Sequence, residues 1–222
     1  MKIGIIGAGN MGRALGLRWA RGGHEVFFGS RDLTKAKAVA ANGSGSAQAG
    51  DFDAAAAFGE VILYTIRDYF PSSVLKEPQA LSGKIVIDCN NSPILGLDTP
   101  DPDNRPGLHF TPPIPSLAER LAADAPGARV VKAFNTMASQ VIELDHDELA
   151  RRRVSVFLCS DDAQAKSVVK GLAEELGFIG VDCGDLERAR LVESVGDFIR
   201  FQIIGMGLGP FATISVNVAP QP

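Results

Sequence analysis

The stretch Lys2-Ile3-Gly4-Ile5-Ile6-Gly7-Ala8-Gly9-Asn10-Met11-Gly12 decides the fold of this chain of 222 residues. Its isoleucines form a short apolar, β-branched run, which is typical of a buried parallel strand. Glycines follow in the spacing G-x-G-x-x-G, and residues 11–21 then show the spacing of a helix that ends at Gly22-Gly23. A strand, this glycine pattern and a helix, in that order, predict the first βα unit of a dinucleotide-binding domain.

Each glycine has a physical role in such a unit. The first permits a tight turn, the second lets the backbone approach a pyrophosphate, and the third lets helix and strand pack closely. The N-terminus of the helix offers N–H groups and the positive end of its dipole to a phosphate. The predicted pyrophosphate site comprises Gly7, Ala8, Gly9, Asn10, Met11 and Gly12. The alternative is a glycine-rich turn that binds no nucleotide.

The end of the second predicted strand, residues 25–29, indicates which dinucleotide binds. An NAD-specific site places Asp or Glu there to accept a hydrogen bond from the ribose 2′-hydroxyl. This chain has Ser30 and Arg31 instead, with Lys35 one helical turn further on. A hydroxyl and two cations suit a 2′-phosphate, whereas Asp32 is placed to cap the next helix. We therefore predict NADP(H) as the cofactor; the alternative is a solvated basic turn.

Composition excludes several classes of function. The net charge of −4 and the isoelectric point near 5.4 argue against a nucleic-acid partner. The three cysteines are far apart and no cluster has the spacing of metal ligands, so we expect reduced thiols in a cytoplasmic protein and no metal. A strand that begins at residue 2 leaves no room for a signal peptide, and glycines interrupt the apolar tail before it reaches the length of a membrane span.

Strands and helices alternate along the rest of the chain. Further strands are predicted at residues 61–66, 84–88, 129–134, 154–159 and 178–182, with a short edge strand or loop at 43–50, a proline-rich loop or flap at 94–115 and a long helix at 186–204. The pattern predicts an α/β fold with a Rossmann-type doubly wound parallel sheet, extended by C-terminal strands and a long C-terminal helix. We expect one NADP-binding domain over residues 1–222, with a dinucleotide-binding core (1–150) and an extension (151–222) packed on the same sheet.

Polar residues at the strand ends are the candidates for the nicotinamide pocket, because ligands of open parallel sheets bind beyond the carboxyl ends of the strands. The candidates are Thr65, Ile66, Arg67, Asn90, Asn91, Asn135 and Thr136. Asn residues at such ends also carry backbone turns, and Arg67 is equally well explained as an exposed structural residue. No residue is assigned as a catalytic acid or base, since hydride transfer between two rings depends on stacking, orientation and dryness.

Six blocks carry a resemblance to a known family. They are Gly7-x-Gly9-x-x-Gly12, Gly29-Ser30-Arg31 with Lys35, Val131-Lys132-Ala133-Phe134-Asn135-Thr136, Cys159-Ser160-Asp161-Asp162, Ala189-Arg190-Leu191-Val192-Glu193 and Gly205-Met206-Gly207. With them the chain resembles the NADPH-dependent coenzyme F420 reductases over nearly its whole length. The resemblance implies that the Ser-Arg-Lys set holds NADPH and that hydride is exchanged with a deazaflavin in a narrow cleft. Met206 and Gly207 are then expected in the wall over the second ring.

Asn135 departs from that family, whose members tend to carry His at this point. The sequence Lys-Ala-Phe-Asn-Thr is more similar to the NADPH domains of membrane ferric reductases, which pass hydride to a flavin. The resemblance over nearly the whole chain still favours coenzyme F420 as the acceptor, and the departure at Asn135 makes FMN, FAD or a ferric chelate the alternative. A protein that senses NADP(H) without turnover is a second alternative. Reduction of an imine or a 2-oxo acid is less favoured, because no Lys or His is clearly presented at the strand ends.

The C-terminal tail indicates self-association. From residue 201 onward it carries no charge, and the helix before it is rich in apolar residues. Exposed, these residues would form a larger apolar patch than monomers usually tolerate. We therefore expect a homodimer whose remaining partner is a small-molecule hydride acceptor.

Overall fold

A six-stranded parallel sheet forms the centre of the molecule. The computed structural model describes residues 1–43, 47–67, 70–110 and 114–219. The strands of the sheet are β1 (Lys2–Ile6), β2 (Glu25–Gly29), β3 (Ala47–Gly50), β4 (Val61–Tyr64), β5 (Ile85–Asp88) and β6 (Arg129–Lys132). They lie in the order β3-β2-β1-β4-β5-β6, and each neighbouring pair is parallel. This is the Rossmann order predicted from the sequence, and its switch point lies between β1 and β4.

Helices cover both faces of this sheet and continue into the C-terminal part. Their bounds are α1 (Asn10–Arg21), α2 (Leu33–Ala40), α3 (Phe52–Phe58), α4 (Pro71–Val74), α5 (Leu117–Asp124), α6 (Ser139–Ile142), α7 (His146–Arg152), α8 (Ala163–Glu174) and α9 (Ala189–Arg200). Short 3-10 helices occupy Pro78–Leu81 and Leu186–Arg188, and a π-helical turn, Phe201–Gly205, extends α9. Among the described helices, none combines the length and the apolar character that a bilayer crossing requires.

The predicted C-terminal strands form a two-stranded parallel ladder of β7 (Ser155–Leu158) and β8 (Ile179–Asp182). Two antiparallel backbone hydrogen bonds between Lys132 and Cys159, of 2.9 and 3.2 Å, join this ladder to β6. The extension therefore continues the central sheet through one bridge rather than through a full strand pairing.

Three aromatic rings connect the core of the sheet to this ladder. Trp19 on α1 meets Phe134 edge-to-face at a centroid distance of 5.9 Å, and Phe134 meets Phe178 in the same way at 6.2 Å. The indole Nε1 of Trp19 also donates to the carbonyl oxygen of Leu172 on α8, at 3.2 Å. All three rings are buried in one apolar cluster. The first helix and the extension thus share a core.

The predicted long C-terminal helix is divided, and it turns charged residues inward. Leu191 and Phe198, two large apolar residues of this helix, are 64% and 57% exposed, whereas Glu193 and Asp197 are buried. Helical spacing alone could not reveal the burial of Glu193, because its carboxylate is held by Lys132 and by the start of α5, far away in the sequence, whereas Asp197 pairs with Arg200 on the same helix. The exposed apolar side of α9 is continuous with the tail.

Two loop predictions overlap residues that are not described. The segment at 43–50 forms the edge strand β3 at its end, while residues 44–46 lie outside the described residues. In the proline-rich loop, Leu95 and His109 exchange two backbone hydrogen bonds of 3.0 and 3.1 Å, while residues 111–113 lie outside the described ranges. The uncharged tail returns to the start of β7, where Ser155 N donates to the Ile214 carbonyl at 3.1 Å.

We propose that residues 1–222 form one domain, and Phe178→Ala tests this. Removing a buried ring from the extension should destabilise the protein by about 3–5 kcal/mol. Trp19 is the single tryptophan, so its fluorescence reports on the first helix while circular dichroism reports on the whole chain. Urea unfolding of the variant should shift both signals together.

Phe211→Ala is the matched control, because Phe211 is 59% exposed and should change stability by less than about 0.5 kcal/mol. A biphasic dichroism curve, with an unchanged Trp19 transition, would show that the extension unfolds separately.

Candidate functional site

The glycine loop after β1 has the geometry that its sequence predicts. Gly7 has a φ of +116°, and a Cβ atom there would lie 2.4 Å from Thr65 Oγ1. A Cβ on Gly12 would lie 2.0 Å from the Gly7 carbonyl oxygen, so only glycine lets α1 pack against the loop. The space beside Gly9 is open, because no atom of the described residues lies within 4 Å of a Cβ built there. The chain itself therefore does not require glycine at position 9, whereas a ligand in close contact with the backbone would.

The N-terminus of α1 lacks the side-chain cap that five other helices have, as do those of α4, α6 and α9. Side chains of Asp32, Asp51, Ser116, Asp145 and Asp162 accept hydrogen bonds from the first turns of α2, α3, α5, α7 and α8. At α1 the N-cap residue is Gly9, no described side chain caps the helix and its first turn carries no acidic residue. Ala8 is buried, Met11 is half-buried and Asn10 is exposed. These N–H groups are thus available to an anion at the switch point of the sheet.

A cleft of about 230 Å³ lies beside the ends of β2 and β4. Two arginines line it, Arg31 after β2 and Arg67 after β4, together with Ile66, Phe52, Ser73 and Val74. Arg67 also pairs with Asp98 at 3.0 Å, and its side chain remains 74% exposed. Two cations beside apolar walls can bind a phosphorylated group joined to a flat apolar ring.

Ser30 and Asp32 shape the turn that carries Arg31. The buried Ser30 hydroxyl oxygen accepts from Asp32 N at 3.1 Å, and Asp32 Oδ1 accepts from Lys35 N at 3.1 Å. Asp32 is therefore the N-cap of α2, as predicted. The Lys35 side chain is exposed, and it does not belong to the cleft wall formed by Arg31 and Arg67.

The polar residues after β5 and β6 are brought together, and most of their amide groups are engaged within the protein. Asn91 Nδ2 donates to the Asn135 carbonyl oxygen at 2.6 Å, and Asn135 Nδ2 donates to Asn91 Oδ1 at 2.9 Å and to the Val192 carbonyl oxygen at 3.1 Å. Asn90 Nδ2 donates to Asp88 Oδ1 at 2.9 Å. Asn135 Oδ1 is buried and has no hydrogen-bond partner among the described residues. This oxygen thus keeps an unused acceptor position among the described residues.

The other predicted pocket residues lie outside this hydrogen-bonded asparagine cluster. Thr65 is half-buried and its Oγ1 donates to the Gly7 carbonyl oxygen at 2.8 Å, whereas Thr136 is buried. Met206 and Gly207 follow the π-helical turn and are exposed, and Met206 N donates to the Phe201 carbonyl at 3.0 Å. Within the described ranges, no recorded hydrogen bond joins Met206 or Gly207 to the asparagines.

Phe134 directs the chain towards this asparagine cluster. Its φ of +61° is unusual for a bulky residue and costs about 1–3 kcal/mol. The ring is fully buried between Trp19 and Phe178, which holds the backbone in this conformation. The strained residue lies directly between β6 and Asn135, at the edge of the sheet where the cofactor is expected.

A buried ion network, absent from the sequence prediction, lies beneath the asparagines. The ammonium of Lys132 is fully buried and contacts Asp88 Oδ2 at 2.8 Å, Glu193 Oε1 at 2.9 Å and the Asn90 carbonyl oxygen at 2.6 Å. Glu193 also accepts from the N–H groups of Leu117 and Ala118 at the start of α5, at 3.1 and 3.3 Å. The network thus ties α9 to β5, β6 and α5.

Burial and ion pairing shift the pKa values of Lys132 and Glu193 in opposite directions. Burial alone lowers the pKa of Lys132, but the carboxylates of Asp88 and Glu193 outweigh it and the pKa lies above its ordinary value. Burial raises the pKa of Glu193, although Lys132 opposes this. A lysine that ends an apolar strand, opposite an aspartate at the end of a neighbouring predicted strand, was the signal that sequence analysis could have used.

A second ion pair fastens α9 to α5. Arg190 donates to both carboxylate oxygens of Glu119, at 2.9 and 2.7 Å. Hydrogen bonding from Arg190 lowers the pKa of Glu119 to about 2. Glu119 also completes the capping box with Ser116 that the sequence predicts.

The chain is similar to known proteins over most of its length. A family model described as "NADP oxidoreductase coenzyme F420-dependent" matches residues 2–92. The F420-dependent NADP reductase of Methanocaldococcus jannaschii is 30% identical over 225 residues, covering 94% of this chain and 97% of that protein. Metalloreductase STEAP3 of Rattus norvegicus is 31% identical over 194 residues, covering 87% of this chain, which spans only 36% of that protein.

The chain is also similar to a solved structure over nearly its whole length. The crystal structure of a candidate F420-dependent NADP reductase from Arthrobacter sp. FB24 superimposes with a TM-score of 0.81 at 26% identity. The match covers 98% of this chain and all of that chain. The extension is therefore included in the similarity.

Alanine substitutions at Gly9 and Gly12 should separate ligand binding from folding. Gly9→Ala meets no atom of the described residues, so the midpoint of thermal unfolding should stay within about 2 °C of the wild type. Its affinity for NADPH should fall at least about tenfold, because the methyl group fills the space of the pyrophosphate. Gly12→Ala should unfold at a clearly lower temperature. Unchanged NADPH affinity in Gly9→Ala, measured by calorimetry, would contradict the predicted site.

Proposed function

Because this chain belongs to the F420-dependent NADP reductase family, we propose that it transfers hydride between NADP(H) and coenzyme F420. Cofactor and fold follow from the family and from the sheet order. The acceptor rests mainly on one observation: the similarity to F420-dependent reductases extends over 97% of the length of a relative, whereas only 36% of a metalloreductase is matched. The match to the F420-dependent reductase covers 94% of this chain, so it includes most of the extension that would cover the second ring.

In this proposal, NADP(H) lies across the switch point of the sheet. The uncapped N-terminus of α1 would hold the pyrophosphate, with Gly7, Ala8, Gly9, Asn10, Met11 and Gly12 around it. Arg31 and Arg67 would contact the 2′-phosphate from the two sides of their cleft, assisted by Ser30 and Lys35. Ile66 would pack against the adenine. The free space at Gly9 and the charge of the cleft both fit this cofactor.

The chemistry needs little from the side chains. When bound, the nicotinamide of NADPH supplies the hydride, and the protein holds the two rings in line and excludes water. Thr65, Asn90, Asn91, Asn135 and Thr136 would form the polar edge of this pocket. The unpaired Asn135 Oδ1 would accept a hydrogen bond from the carboxamide and so orient the ring. Met206 and Gly207 would cover the second ring only if the tail moves over it or a second chain presents it.

Asn135 also supports a second candidate, an FMN, FAD or ferric-chelate reductase. The similarity to Metalloreductase STEAP3 covers the region that contains Asn135 and most of this chain. A protein that senses NADP(H) without turnover stays the third candidate. Hydride transfer to F420 identifies the first candidate, transfer to a flavin or a ferric chelate identifies the second, and the absence of transfer identifies the third.

The assembly that we propose is a homodimer, formed through α9 and the tail. Large apolar side chains are exposed along this continuous segment, namely Leu191, Phe198, Phe201, Ile204, Met206, Leu208 and Phe211. A monomer would leave this whole apolar stretch in water. A second copy of the chain would cover it and complete the wall of the pocket.

Arg31→Ala should weaken NADPH binding by roughly tenfold to more than a hundredfold. Its charge-assisted hydrogen bonds to the 2′-phosphate contribute about 1.5–3 kcal/mol, at about 1.4 kcal/mol per tenfold change. NADH lacks this phosphate, so its affinity should change much less. Lys35→Ala should have a smaller effect that salt reduces, and Lys37→Ala, on the same exposed helix, is the control. Equal losses for NADH and NADPH in a titration would make Arg31 a structural residue.

The acceptor is tested by mixing protein and NADPH with F420, FMN, FAD or a ferric chelate. We expect loss of the F420 absorbance at a rate well above that of NADPH oxidation by either flavin. Asn135→His should increase the preference for F420. Turnover with flavins alone would favour the second candidate, and NADPH binding without turnover would favour the sensor.

Sedimentation velocity at micromolar concentration tests the homodimer. The proposal predicts a species of about twice the 23.4 kDa of one chain. Phe198→Glu should place a charge in the apolar interface and shift the protein to monomers. The exposed control Glu77→Gln should leave the dimer intact. A wild-type protein that sediments as one chain would contradict the proposal.

A further inference from the structure

Cys159 and Cys183 lie opposite each other at the ends of β7 and β8. The register pairs Leu158 with Asp182, so the cysteines form the next pair, and Cys183 N donates to the Leu158 carbonyl oxygen at 2.8 Å. Both side chains belong to the same apolar cluster, on one face of the ladder. Neighbouring strands are about 4.7–4.9 Å apart, within the Cα separation of about 4.4–6.8 Å that a disulfide spans.

The two thiols have unequal environments. Cys159 is fully buried, whereas Cys183 is partly exposed. A hydrogen bond from the Cys159 thiol lowers the pKa of Cys183 to about 7, and the nearby Lys166 ammonium acts in the same direction against burial and Asp182. The same contact, with burial, raises the pKa of Cys159. Cys183 is thus the more accessible thiol and the one that ionises more readily, whereas Cys159 is buried and stays protonated.

We propose that Cys159 and Cys183 form a peroxide-responsive dithiol, in which Cys183 is oxidised first and Cys159 resolves it to a disulfide. The Cys183 thiolate attacks one oxygen of hydrogen peroxide, the O–O bond breaks, and a sulfenic acid and hydroxide form. The Cys159 sulfur then attacks the Cys183 sulfur, the S–O bond breaks, and the hydroxyl group leaves as water with the proton of Cys159. The thiols lose two electrons in total, and peroxide accepts them.

The third cysteine provides an internal control. Cys89 is buried at the end of β5, and its Sγ donates to the Tyr64 carbonyl oxygen at 3.8 Å. Burial raises the pKa of Cys89 to about 12. Since the thiolate is the reactive form, Cys89 should be nearly inert at neutral pH. The chain therefore carries one reactive pair and one unreactive thiol under identical conditions.

The experiment treats the native protein with a few equivalents of hydrogen peroxide at pH 7, and then alkylates it with N-ethylmaleimide in denaturant. Mass spectrometry should show two of three thiols protected, a mass lower by about two hydrogens before alkylation, and a linked pair of peptides that contain Cys159 and Cys183. Dithiothreitol should restore all three alkylation sites. In untreated protein, Cys183 should alkylate at least about a hundredfold faster than Cys89.

Variants separate the two roles. Cys159→Ser should leave Cys183 as a sulfenic acid that dimedone traps, and Cys183→Ser should abolish peroxide protection of Cys159. Cys89→Ser should form the disulfide like the wild type. The proposal fails if wild-type Cys183 oxidises to a sulfinic acid while Cys159 stays alkylatable, if Cys89 reacts as fast as Cys183, or if neither cysteine of the pair is oxidised. None of these outcomes depends on NADP(H) or on the hydride acceptor.

Discussion

Lys132 carries a fully buried charge at the junction of β5, β6 and α9, and the shape of the site depends on how that charge is paired. Taking an ammonium out of water costs several kcal/mol, which good geometry and further hydrogen bonds must offset. Asp88, Glu193 and the Asn90 carbonyl oxygen supply this pairing. Because Asp88 and Asn90 lie at the end of β5 whereas Glu193 lies on α9, the network holds the last helix against the sheet. It also sets the height of the Asn90–Asn91 turn above the strands.

Phe134 contributes a second constraint at the same edge. Its left-handed backbone stores strain, and the aromatic contacts with Trp19 and Phe178 keep it there. The sharp turn that results brings Asn135 against Asn91 and the Val192 carbonyl oxygen. Packing in the core of the extension therefore determines the position of a polar group at the site. The C-terminal third of the chain is part of the site's construction and not an addition to a finished domain.

Local patterns predicted most of the fold and the geometry of the glycine loop after β1. The strand β1, the three glycines and the caps Asp32, Asp51 and Ser116 can be found from the sequence, because each acts on residues within a few positions of itself. The contacts of the asparagine cluster after β5 and β6 were harder to predict, since they join residues such as Asn91 and Asn135 that are 44 positions apart. The network of Lys132 was missed for the same reason. On α9, helical periodicity identifies the apolar residues, but it does not reveal that a long-range ion pair with Lys132 accompanies the burial of Glu193.

The uncapped start of α1 has a thermodynamic consequence. A capping side chain contributes about 1 kcal/mol to a helix, and α1 lacks that contribution where five other helices have it. An anion that binds there satisfies the same N–H groups, and any ligand specific for the native state shifts the unfolding equilibrium by mass action. If NADP(H) binds there as we propose, the folded population of this chain is linked to the concentration of that nucleotide. In a cell poor in that nucleotide, the protein would be more easily unfolded and degraded than in one that is rich in it.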